Sequence, residues 1–259
     1  MARVLSGVTL AAFVVALIWW LPPVYLLAFA LGVTALAFVE YARLAAALGA
    51  RPPWWPSMAA TLVACALVPY PWTWFQAAFA VTLVAIAVAV MRDARGPQAL
   101  QDVATAVFAP VYLGLPVGTI VALLRLAGAD AVLLMIGTIV VSDTAQYYAG
   151  RAFGRRPLAP RLSPKKTVEG AIGGLVVAPV ALTVAGAWVL PDVAPAWLAT
   201  LGVAMVGAGI AGDLFESTLK RAAGVKDSAA LIPGHGGVLD RIDALLFAAP
   251  LFYFFLRLV

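Results

Sequence analysis

Between Ser217 and Asp243 the chain gathers the groups that hold phosphates and hard cations. Lys220, Arg221, Lys226 and Arg241 are cationic, Asp227, Asp240 and Asp243 are carboxylates, and His235 is the single histidine of 259 residues. Gly234, Gly236 and Gly237 permit close backbone approach to a ligand and can offer amides to phosphate oxygens, although a flexible turn uses glycine equally well. Around this island 64% of the chain is apolar and only 11% charged. In a chain this apolar, so dense a mixture of both charges with glycines points to function.

Further polar positions extend the set. Asp213, Glu216, Ser217 and Lys220 recur at i, i+3, i+4 and i+7 and share one helical face, able to hold a cation at Asp213 and an anion at Lys220, or to form an interfacial salt-bridge ladder. Asp240 and Asp243 stand three apart at the start of the last apolar run, where carboxylates also serve as ordinary caps. Asp213 and Asp240 come from different runs, and Mg²⁺ is bound by one or two carboxylates plus substrate phosphates. Asp143 lies seven residues before Gly150, hence about 10 Å inside its run, and at a cost of about 3 kcal/mol it requires a partner or a wet cavity. Its plainer reading is an ion pair or a water-bridged helix contact. Ser163-Pro164-Lys165-Lys166-Thr167 opens onto a helix start, where adjacent lysines flanked by hydroxyls make a phosphate clamp or simply a positively charged loop. His235 is assigned to phosphate contact or loop ordering, because an ionised phosphate needs no base.

The elements that position these groups follow from hydropathy. A mean hydropathy of +1.01 lies beyond soluble domains, and breaks in the apolar runs predict about nine membrane-spanning helices: 4–21, 24–39, 54–69, 73–91, 103–124, 131–150, 170–190, 197–215 and 243–257. The fold class expected is therefore all-α, a polytopic transmembrane helical bundle in one domain. Residues 1–102 carry few polar groups and read as scaffold, and 103–259 hold the chemistry. With the N-terminus cytoplasmic, 15 of the 17 Lys and Arg residues fall inside, leaving only Arg125 and Arg257 outside. This asymmetry places the polar island at the cytoplasmic side of a cell membrane. It also accounts for the net charge of +5 without nucleic acid, which is not expected as a partner. Tryptophans at run ends read as interfacial anchors, Gly202, Gly207, Gly209 and Gly212 as a packing stripe, and Cys65 as a packing residue with no disulfide partner.

Read in order, Ser217-x-Leu219-Lys220-Arg221, Lys226-Asp227-x-Ala229 and Ile232-Pro233-x-His235-Gly236-Gly237-Val238-x-Asp240-Arg241-Ile242-Asp243 resembles the signature of the phosphatidate cytidylyltransferases, over 27 consecutive residues. Ser163-Pro164-Lys165-Lys166-Thr167-x-Glu169-Gly170 resembles a second motif of that family, with Val168 where the motif has tryptophan. The resemblance implies an integral membrane enzyme of phospholipid biosynthesis that takes CTP and phosphatidic acid to CDP-diacylglycerol and pyrophosphate. It also implies Mg²⁺, alone or with a second cation, and homodimeric assembly in the bilayer. On this basis Asp213, Lys220, Asp240 and Asp243 are expected at the reaction centre, and Asp143, Asp213, Asp240 and Asp243 around the metal. Ser163, Lys165, Lys166, Thr167, Ser217, Arg221, Lys226, His235, Gly236, Gly237 and Arg241 are expected on the substrates.

An ion-coupled transporter lined by Asp143 and Asp213 is the alternative, and it requires polar groups distributed through the membrane with broken helices at mid-depth. Here the outer half of each run is apolar. A purely structural bundle leaves the gathering of lysines, carboxylates and glycines on one side without a cause.

Overall fold

The computed structural model describes residues 2–92, 96–229 and 236–259, and the expectations for Ile232, Pro233, Gly234 and His235 fall outside them. The helices are α1 (Ala2–Trp20), α2 (Pro23–Ala47), α3 (Trp54–Leu67), α4 (Trp72–Arg92), α5 (Ala99–Ala109), α6 (Leu115–Phe153), α7 (Val168–Val189), α8 (Pro195–Ala222) and α9 (Leu239–Leu258), with a π-helical turn at Pro110–Gly114 joining α5 to α6. Each apolar run of the sequence is thus helical, and the result is an all-α membrane fold. Among the described residues, five stretches suffice by length and composition to cross a membrane: Pro23–Ala47, Trp72–Arg92, Gly96–Phe153, Val168–Val189 and Pro195–Ala222. The last holds most of the polar face read from the sequence.

Two runs expected as separate spans, 103–124 and 131–150, are continuous across α6 apart from one break. Gly128 supplies it with φ 81° and ψ −178°, a left-handed φ that a residue with a Cβ adopts only under strain. The chain also contains what hydropathy did not foresee, an antiparallel hairpin of β1 (Pro157–Ala159) and β2 (Ser163–Thr167), pairing Pro157 with Thr167 and Ala159 with Ser163. The prolines at 157, 160 and 164 read as a loop because proline cannot donate to a ladder, yet it is tolerated in edge strands. The hairpin closes onto α7: Val168 N donates to Arg156 O (2.9 Å), and Thr167 Oγ1 accepts from Gly170 N (3.1 Å), capping the helix.

The chain forms two compact units, 1–125 with 219–241, and 126–218 with 242–259. In the first, α2, α3 and the π-turn surround a core that includes Phe38, Cys65 and Leu113, each wholly buried. Phe38 meets Trp54 edge-on with ring centroids 5.3 Å apart, while Tyr41 donates to Thr105 O (3.0 Å) and packs against Phe108 and Tyr112. Seven of the eight tryptophans keep more than half of their surface exposed; Trp54 packs on Phe38.

In the second unit the glycine stripe of α8 packs as its composition suggests, at two of its four positions. A Cβ on Gly202 would lie 2.6 Å from Pro179 Cα, and one on Gly212 would strike Asp243 O and lie 3.0 Å from Phe247 Cδ2. Helices α7 and α9 thereby approach α8 closely, and Phe215 tilts against Phe247 at 5.9 Å.

Candidate active site

The signature segment is organised by Asp240, in the first turn of α9. Its Oδ2 accepts from Ser228 N (3.1 Å), Ser228 Oγ (2.9 Å) and Gly237 N (2.8 Å), and its Oδ1 receives Lys220 Nζ at 2.5 Å. Lys220 and Asp240 expose only 11% and 10% of their side chains, so this is a nearly buried ion pair whose charges satisfy each other and the turn. Gly236 adopts φ 76°, which brings Gly237 N to the carboxylate. Helix α8 continues two turns beyond its apolar run to deliver Lys220. Arg221 Nη1 donates to Val225 O (3.2 Å) and, like Lys226, remains exposed, as does Arg241.

A residue outside both motifs completes this group. Glu40 of α2, fully buried, accepts from Val238 N and Leu239 N (2.8 Å each) and from Ser228 Oγ (2.7 Å). The expected run 24–39 ended just before Glu40, which therefore read as the start of a loop. The available signal was a carboxylate followed by more apolar residues, in a helix that continues to Ala47.

The second unit carries its own polar group. Lys166 of β2 forms an ion pair with Asp213 of α8, and their side chains are 24% and 34% exposed. Asp143 of α6 lies close enough to feel both the Lys166 and Asp213 charges, and Gln146 Nε2 donates to its Oδ1 (3.4 Å). Ser217, nearly buried one turn beyond Asp213, donates to Asp213 Oδ1 at 3.5 Å. Of the four residues read on one face of α8, Asp213 and Ser217 thus meet, while Lys220 turns to Asp240. Asp243 accepts from Ala244 N (2.7 Å).

Of the lysine motif, Lys166 faces Asp213, Lys165 is exposed, Ser163 is half-buried in the hairpin, and the Thr167 hydroxyl oxygen serves as the α7 cap. Glu169 Oε2 accepts from Arg155 N (3.0 Å) and Arg156 N (3.2 Å), and Oε1 pairs with Arg156 Nε (3.1 Å), fixing the root of the hairpin.

Of the two carboxylate groups, Asp143 with Asp213 suits a divalent cation completed by substrate, whereas both oxygens of Asp240 are already taken. Among the described residues no three His, Cys, Asp or Glu side chains gather into a cage, whereas Asp143 and Asp213 stand near one another and Lys166 pairs with Asp213. Mg²⁺ characteristically takes one or two carboxylates and draws its remaining ligands from phosphates and water.

These features define a class: a predominantly helical membrane protein with lysine and carboxylate groups gathered at the ends of its apolar helices. The family model described as "Cytidylyltransferase family" matches residues 1–259, and the chain belongs to that family. Among curated relatives, the phosphatidate cytidylyltransferase of Haemophilus influenzae is 48% identical over 118 residues, 44% of this chain and 41% of that protein. The protein of the same name from Thermotoga maritima is 35% identical over 176 residues, 66% of this chain and 65% of that protein. Escherichia coli "Uncharacterized protein YnbB" is 44% identical over 131 residues, 50% and 43% of the respective chains. The matched part of this chain thus spans less than half of two of these relatives and about two thirds of the other.

Proposed function

We propose that the chain is a phosphatidate cytidylyltransferase. A phosphate oxygen of phosphatidic acid attacks the α-phosphorus of CTP in line, the bond from that phosphorus to the bridging oxygen breaks, and pyrophosphate leaves. CMP is transferred whole, giving CDP-diacylglycerol, and no covalent enzyme intermediate is needed. The observation that carries the reading is the Lys220–Asp240 pair, a fixed cation and carboxylate from the two ends of the segment that resembles the family signature. Relatives bearing this name support the substrates.

In this reading the chain acts by positioning and by charge, because phosphoryl-type transfer leaves little covalent work to protein groups. Lys165, Lys166, Lys220, Arg221, Lys226 and Arg241 offset the triphosphate and the lipid phosphate. Ser163, Thr167, Ser217, His235 and the amides of Gly236 and Gly237 are the proposed hydrogen-bonding groups. Mg²⁺, alone or with a second cation, would neutralise phosphate oxygens as charge builds on them. Asp213 and Asp143 are the carboxylates proposed to hold it, while Asp240, held by Lys220, Ser228 and Gly237, and Asp243 are proposed to order the reaction centre.

We place the chain in the cell membrane with nine spans, the N-terminus and chemistry on the cytoplasmic side, residues 1–102 as support, and a homodimer as the assembly. Purified protein given phosphatidic acid and labelled CTP is expected to form CDP-lipid and pyrophosphate with Mg²⁺ and to stop when EDTA removes it. Absence of both products under every metal condition, in folded protein, overturns the assignment. For the topology, single cysteines placed at Arg161 and Asp192 in a Cys65→Ser background are expected to react with a membrane-impermeant maleimide from opposite sides. Labelling of both from one side defeats that arrangement.

A further inference from the structure

We propose that Glu40 is a positioning residue for this transfer, acting through Asp240 from a helix outside the family motifs. Three observations carry it. First, Val238 N and Leu239 N belong to the opening turn of α9, whose amides have no partner within the helix. Such amides are ordinarily met by a hydroxyl or carboxylate at the cap, but Val238 has neither. The Glu40 carboxylate takes that place from 198 residues away, with its negative charge at the favourable end of the helix.

Second, Ser228 Oγ lies between Glu40 Oε2 at 2.7 Å and Asp240 Oδ2 at 2.9 Å. A hydroxyl has one proton to donate, so the two carboxylates compete for a single group and the placement of one bears on the other. Glu40, Ser228, Asp240 and Lys220 form one continuous polar chain. Third, a Cβ at Gly237 would run into both Ser228 Oγ and Glu40 Oε2. The backbone of the signature turn is built around this carboxylate, and only glycine leaves room for it.

Glu40 thus fixes where α9 begins and how Asp240 is turned, while making no substrate contact of its own. The role rests on the proposed cytidylyl transfer, and its test separates the two. Glu40→Gln keeps the side-chain shape but offers one acceptor oxygen and aims an amide NH₂ at N–H donors. With CTP and phosphatidic acid, its kcat is expected to fall about 10- to 100-fold while KM for CTP stays within about threefold, the signature of lost positioning. Glu40→Asp is expected to recover part of the rate lost in Glu40→Ala.

The decisive arm is the double variant. In an Asp240→Asn background Glu40→Gln is expected to cost at most about twofold more, because residues that act as a unit are not additive. Wild-type rates in Glu40→Gln, or a full independent loss on top of Asp240→Asn, overturn the proposal. Ser228→Ala, which leaves the two backbone bonds to Glu40 in place, is expected to lose kcat by about threefold to tenfold and serves should Glu40→Gln not fold; an unchanged kcat there overturns the link to Asp240. Hydrogen exchange supplies a readout without turnover: the Val238 and Leu239 amides are expected to exchange faster in Glu40→Gln, and unchanged exchange overturns the contact. If wild-type protein makes no CDP-lipid but this exchange shift is seen, the assigned reaction fails and the contact stands.

Discussion

Asp240→Asn is expected to lose about 100-fold or more in turnover and, unlike Asp213→Asn, to lose substantial stability too. Both follow from its surroundings. The carboxylate accepts four hydrogen bonds, one of them from Lys220, and the pair is about nine-tenths covered. An asparagine has one acceptor oxygen, so its amide NH₂ would face either the Lys220 ammonium or the Ser228 and Gly237 donors. Removing one partner of a covered ion pair costs about 3 kcal/mol, because the other charge loses its counterion. Adding Lys220→Met removes that stranded charge, and thermal unfolding in detergent should recover most of the loss while CDP-lipid formation stays low. A double variant that regains turnover along with stability would show that Asp240 is only a folding device.

Asp213→Asn is expected to separate the same two quantities in the opposite way. Its ion pair with Lys166 is partly solvated, and pairs of that kind are worth about 1 kcal/mol or less, so the melting temperature should barely move. Turnover should still fall about 100-fold, since the proposed role lies in offsetting charge at the reacting phosphates. A midpoint in Mg²⁺ titration displaced to higher concentration would accompany the loss. Near-normal rates at saturating Mg²⁺ would remove Asp213 from the metal assignment and leave Asp143 as the acidic group of that cluster.

The helices were legible because apolar runs of sufficient length have few other outcomes, and proline pairs and glycines punctuate them. Their ends were less so. Helix α2 runs on to Ala47 and α8 to Ala222, each past the end of its expected run, because the polar groups there are satisfied by partners that no local period reveals. Glu40 is the plainest case, with donors 188 to 199 positions away. The hairpin escaped because strands of three and five residues, rich in proline, carry no alternation. Within the site, spacing along α8 correctly put Asp213 with Ser217. Composition around Lys165 and Lys166 could not tell which lysine turns to a carboxylate and which to solvent, nor that Thr167 ends up capping α7.

The grip of Glu40 on the start of α9 sets an order of events during synthesis. Its carboxylate enters the membrane region with the second helix, yet its three donors belong to residues made almost two hundred positions later. Throughout that interval the nascent protein holds an acid with none of these bonds, and a product terminated before Ser228 never acquires them. Assembly of this buried cluster is thereby reserved for chains extended through Leu239.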